Sequence, residues 1–99
     1  SPASVDLMVR NQLPSMPVLE EAELLANRWG LGWMKPRLGW SQYFGDILSP
    51  RAFGHGGATG TTVWADPDTG LFCSCFTNQP GIERELAMIS NAVASSFIR

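Results

Sequence analysis

Apolar residues recur with helical spacing at both ends of the chain and alternate with strand spacing in between. Val5, Met8 and Val9 share one helix face behind Ser1-Pro2, an N-cap followed by proline at the first helical position. The pattern stops near Gln12, ahead of Leu13-Pro14. Residues 13–19 carry two prolines and read as an extended surface connection, and Glu20 to Ala26 as a short helical stretch. At the other end Ile82, Leu86, Ile89, Val93 and Phe97 follow at steps of four, three, four and four. They predict an amphipathic helix from about Ile82 to Phe97, with Glu83 and Glu85 where its dipole favours acids.

Between these ends the period changes to two. Arg28 to Lys35 reads as a strand with Trp29, Leu31 and Trp33 on one face. Gly30 and Gly32 occupy the other face and leave it open to close approach by backbone or ligand. Thr59 to Ala65 and Leu71 to Thr77 form two β-rich runs around Asp66-Pro67-Asp68-Thr69-Gly70, a turn sequence, and so predict an antiparallel hairpin. In the second run Leu71, Cys73 and Cys75 face one way and Phe72 and Phe76 the other. A strand apolar on both sides calls for cover on both sides, which predicts a central place in the sheet. The fold class is therefore α+β: an antiparallel sheet, made of a hairpin and a further strand, packed against a C-terminal amphipathic helix.

Length and charge narrow the function. The 99 residues make a single domain at most, with 44% apolar and 16% charged residues. Seven basic against nine acidic side chains leave no basic footprint for nucleic acid, and no apolar run is long enough to span a bilayer. Cys73 and Cys75, two apart in a strand, place their Cα atoms about 6.5–7 Å apart, at the edge of disulfide geometry. They read as plain thiols, and with a single histidine no metal site is indicated.

Candidate chemistry gathers around that histidine in Gly54-His55-Gly56-Gly57-Ala58-Thr59-Gly60. Glycines let backbone approach a ligand, and a following strand offers amide N–H groups. The same cluster also suits a simple tight turn. The 36–51 segment is long for a connection without regular structure, and its Trp40 and Tyr43 are candidates to touch a ligand. Trp29, Trp33 and Trp64 fit core packing, Asp66 and Asp68 fit the hairpin turn, and Glu20, Glu21 and Glu23 fit a solvated helix face.

Taken in order, WGLGW, FGHGGATG, a strand ending Asp66-Pro67, a Thr-Gly turn, a strand ending Thr77-Asn78 and a last amphipathic helix resemble one family. The chain resembles the C-terminal portion of the serine β-lactamase and penicillin-binding-protein-like hydrolases, in particular the class C-like esterase and peptidase branch. The resemblance runs best from Arg28 to Asn78 and implies part of an α/β/α sandwich. It further implies that residues 1–99 are the C-terminal part of one such domain, with the catalytic part upstream. His55-Gly56-Gly57 matches the family's His-x-Gly triplet on the strand lining the active site. By that likeness His55 binds substrate and helps organise proton transfer. Gly57 keeps the strand edge clear, and the Ala58 N–H is the second oxyanion donor. Gly56 lacks the hydroxyl many relatives carry at the middle position.

The resemblance also implies what the chain lacks. The family's nucleophile belongs to Ser-x-x-Lys, assisted by the Tyr of Tyr-x-Asn. Lys35 is the only lysine and Gly32 stands three before it, while Tyr43 is followed by Phe44-Gly45. Acyl transfer on an ester, amide or β-lactam, without metal or organic cofactor, is thus expected only together with upstream residues. The chain alone would expose a sheet face and edge and self-associate. The alternative is a non-catalytic α+β module that binds a partner.

Overall fold

Turn chemistry sets the hairpin. The Asp66 carbonyl accepts from the N–H groups of Thr69 (3.3 Å) and Gly70 (2.9 Å), and its carboxylate accepts from Asp68 N–H at 3.0 Å. The computed structural model, which describes residues 1–17, 19–37 and 39–97, shows the strands that flank this turn, β2 (Thr61–Asp66) and β3 (Leu71–Phe76), paired antiparallel with Trp64 opposite Cys73. Val18 of the 13–19 connection and Leu38 of the 36–51 segment lie outside the described residues. A further strand, β1 (Phe53–Gly57), pairs antiparallel with β2, His55 opposite Val63, so the order is β1-β2-β3. The glycine cluster is therefore strand from 53 to 57 and turn only from 58 to 60. Strand propensity opposes three glycines in five residues; pairing with β2 overrides it.

Helix α1 (Pro2–Val9) is capped by Ser1, whose hydroxyl accepts from Ser4 N–H, and α2 (Glu21–Ala26) opens on a reciprocal Glu20–Glu23 capping box. No described helix is long and apolar enough to cross a membrane. Helix α3 (Glu83–Phe97) covers the inner face of the sheet, where Thr62, Trp64 and Asp66 of β2 are buried. Phe44, Trp64 and Ala94 form the core, with Met34, Tyr43, Leu48, Leu71, Cys73 and Val93 packed around them. Burial raises the Cys73 thiol pKa, and neighbouring Cys75 adds to it; both thiols are free.

Three expectations are corrected. Arg28–Lys35 is not one strand but a tight hairpin: Trp29 and Met34 form a bridge, Gly30 N–H donates to Trp33 C=O at 2.8 Å, and Gly32 takes φ +78°. Such a turn needs a residue tolerant of positive φ, and Gly32 supplies it. Gly30 admits backbone, since a Cβ there would overlap the Met8 carbonyl. The buried line of α3 is Leu86, Ala87, Ser90 and Ala94, while Ile89 and Phe97 of the expected stripe are exposed. Small residues let the helix approach closely: Ser90 bonds the Trp64 indole, Ala94 packs in the core with it, and Ala87 lies beside Gly45. Finally, β3 is an edge strand among the described residues, and Phe72 and Phe76 are each 80% exposed.

Thr62 carries the one described buried side-chain oxygen without a hydrogen-bond partner. Thr62→Val keeps its shape and should raise stability by about 1 kcal/mol, because a buried orphan hydroxyl is costly. Ser90→Ala should instead lower stability by about 2–3 kcal/mol, since it orphans the Trp64 indole N–H that donates to its hydroxyl and the Tyr43 carbonyl that accepts from it. Urea unfolding midpoints at constant slope check both.

Candidate functional site

Strand alternation decides which way the His55 imidazole faces. Gly54 and Gly56 share the inner face with Thr62 and Trp64, so His55 points outward with its partner Val63. His55 Nδ1 lies 2.6 Å from the Gly56 carbonyl oxygen. A carbonyl can only accept, so Nδ1 carries the hydrogen and Nε2 is left to meet a ligand. The ring of Trp29 stands edge-on to the imidazole, with centroids 5.6 Å apart at 70°. Trp33 meets Phe53 in the same fashion at 5.3 Å. Two tryptophans assigned to the core thus brace the outer side of β1.

The backbone of β1 contributes as well. Gly54 N–H and C=O bond to Met34 across the edge away from β2, at 3.0 and 2.8 Å. Alternation aims the Gly56 N–H along the same edge. The Ala58 N–H follows at the start of the turn, which the Gly60 N–H closes onto Gly57 C=O at 3.1 Å. Among the described residues the Ala58 N–H has no hydrogen-bond partner.

A groove of about 350 Å³ runs over the outer face from His55 and Gly57 across Thr61 and Val63 to Ser74 and Phe76. Its polar groups are an imidazole and two hydroxyls; its walls are Val63 and Phe76. A Cβ on Gly57 would enter the groove and push the Thr61 hydroxyl aside. The arrangement can hold a small molecule with an apolar body and a polar end near β1.

The sequence-predicted residues do not all meet. His55, Gly56 and Gly57 line the groove and Ala58 adjoins it. Trp40 is exposed on its loop and is not among the lining residues. Tyr43 lies on the opposite side of β1, where a Cβ on Gly56 would overlap its ring. The reason is local: Tyr43 takes φ 69° in a turn closed by two Ser41–Gly45 backbone bonds, and its N–H donates to Glu83 C=O at 3.2 Å. Thr61 and Ser74 escaped the sequence reading. Alternation puts Ser74 on the face of Phe72 and Phe76, but only register sets it opposite Val63, one strand from His55.

Against known proteins, the family model described as Beta-lactamase matches residues 5–95, which include all three strands and most of α3. This chain belongs to the beta-lactamase family. A crystal structure of a beta-lactamase from Mycobacterium bovis superposes with a TM-score of 0.78 at 27% identity. The match covers 98% of this chain and 38% of that one, so the chain spans well under half the length of that beta-lactamase. No curated protein matches.

Burial, then the nearby Glu83 carboxylate, raises the Tyr43 phenol above its usual value near 10. Because the folded state disfavours the phenolate, stability contributed by Tyr43 is intact below the unfolded pKa and lost as pH rises past it. Tyr43 is the only tyrosine of these 99 residues, so the phenolate absorbance of this chain reports it alone. Glu83→Gln should move that titration down toward the ordinary value, and Gly56→Ala, which displaces the ring, should cost about 1–3 kcal/mol of stability.

Proposed function

We propose that this chain forms the C-terminal wall of a serine hydrolase site that acts by acyl transfer on an ester, amide or β-lactam. The observation that carries the reading is the outward groove beginning at His55, with the unpaired Ala58 N–H beside it. An acyl substrate lies along the clear edge at Gly57, its carbonyl oxygen toward the Ala58 N–H. When a serine hydroxyl attacks the carbonyl carbon, the C=O π electrons move onto that oxygen, and a fixed N–H stabilises the charge. His55 presents Nε2 to the substrate's polar end and assists the proton that leaves the hydroxyl. The serine, with its activating lysine and tyrosine, comes from the remainder of the domain. Family membership and the 38% coverage of a beta-lactamase support that division.

The test uses the full protein and an active-site serine probe together with a chromogenic ester. Labelling should occur, and His55→Ala should lower kcat/KM by about 10²–10³. Gly57→Val should raise KM by filling the groove between His55 and Thr61. Absence of probe labelling in the full protein would turn the reading toward a partner-binding module.

The exposed outer face gives a second consequence. Phe72 and Phe76 stand on one face of an edge strand, so the 99 residues alone should sediment as dimers or larger species. Phe72→Ser with Phe76→Ser should shift them toward monomer. A wild-type monomer with a cooperative melt counts against the division of the domain.

A further inference from the structure

The chain's only lysine is buried beside other cations. Lys35 is 7% exposed, and its ammonium donates to the Ala52 carbonyl at 3.0 Å, which satisfies one of three protons. Arg28 and Arg51 act on it repulsively and Asp66 attractively. Asp66 is engaged elsewhere, since its carboxylate accepts from Ser49 N–H (2.7 Å), Ser49 Oγ (2.6 Å) and Asp68 N–H. A buried ammonium normally has a carboxylate beside it. Among the described residues the ion pair present is Arg51–Asp68, at 2.8 Å, and no carboxylate pairs with Lys35.

Lys35 lines a pocket of about 870 Å³ between α1 and the start of β1. The pocket is held open by backbone: Leu31 N–H donates to Met8 C=O and Gln12 N–H to Trp29 C=O, both at 2.7 Å, docking the end of α1 on the 29–34 hairpin. Its apolar walls come from Val5 and Val9 on one side and Phe53 on the other. Its charged lining is Arg10, Arg28, Lys35 and Arg51 against the single acid Asp6. The volume suits a small organic molecule. Cations lining an otherwise apolar cavity select a molecule with an anionic head and an apolar body.

We infer that this pocket binds an amphipathic organic anion, a monocarboxylate with an aliphatic or aryl body, whose head is held by Lys35 and Arg28 and whose body lies against Val5, Val9 and Phe53. Such a head supplies the counter-charge that Lys35 lacks. Burial, then Arg28 and Arg51, hold the lysine pKa below its usual value, and a bound carboxylate acts in the opposite sense.

Isothermal titration of 4-phenylbutyrate into the full protein tests this, with 4-phenylbutanol and inorganic phosphate as controls. A single saturable site for 4-phenylbutyrate is expected, with neither control matching it and with affinity falling as salt rises. Arg28→Gln and Val5→Asp should each weaken it by about tenfold or more, the first by removing a charge-assisted contact and the second by adding a competing carboxylate. Val5 is 51% exposed, so the second variant keeps the fold even where a change at Arg28 disturbs it. The inference is overturned if no saturable heat appears or if 4-phenylbutanol binds equally well. It is also overturned if phosphate equals 4-phenylbutyrate, or if both variants bind as the wild type does.

Discussion

One serine hydroxyl joins the three parts of this structure. Ser90 Oγ accepts from the Trp64 indole at 3.0 Å and donates to the Tyr43 carbonyl at 2.7 Å, linking β2, α3 and the 36–51 segment. Both bonds lie inside the protein, where an unmade bond costs more than a made one contributes. The relay therefore fixes where the indole sits and how near the helix lies. It also holds Tyr43 in its left-handed conformation, which few side chains adopt unaided. With its backbone held, Tyr43 lays its ring behind Gly56. The strand that presents His55 is thus positioned from the core side, through a residue that touches no groove atom of His55.

The two faces of the sheet are unequal. On the inner face Trp64 has Ser90 and the buried Asp66 carboxylate has three donors, while the Thr62 hydroxyl is left without a partner. The outer face combines Val63, Phe72 and Phe76 with the hydroxyls of Thr61 and Ser74 and the His55 imidazole. On α3 likewise, Met88 and Ile89 are exposed away from the buried line, and Phe97 is exposed at the helix end. Such apolar surface is the mark of faces that meet another layer. The chain belongs to the beta-lactamase family and spans 38% of the length of one beta-lactamase structure.

Charge is distributed as unevenly as polarity. The chain is net acidic, with nine acids against seven bases, yet four of those bases line one pocket. Their crowding around a buried ammonium makes the cavity beside α1 electropositive in a protein whose average charge is not.

Periodicity and turn chemistry were enough to place both long elements of the second half. The Asp66–Gly70 turn, the alternation from 61 to 66 and 71 to 76, and the helix after Pro80-Gly81 are local patterns, and local sterics and hydrogen bonding read them directly. The ordered motifs from WGLGW to Thr77-Asn78 made the family legible too, through their resemblance to its pattern. Other features depend on contacts between distant residues. Which side of α3 is buried follows from contacts of Ser90 and Ala94 with Trp64 and of Ala87 with Gly45, and hydropathy along the helix does not encode them. That β1 is a strand depends on β2 supplying partners for a glycine-rich segment. That Tyr43 stands behind β1 while Thr61 and Ser74 stand in front with His55 depends on register and on one positive φ. Sequence determined the 61–76 hairpin, the last helix and the family; tertiary pairing made β1 a strand and decided which side chains share a face, because a face is a relation between strands and no single strand carries it.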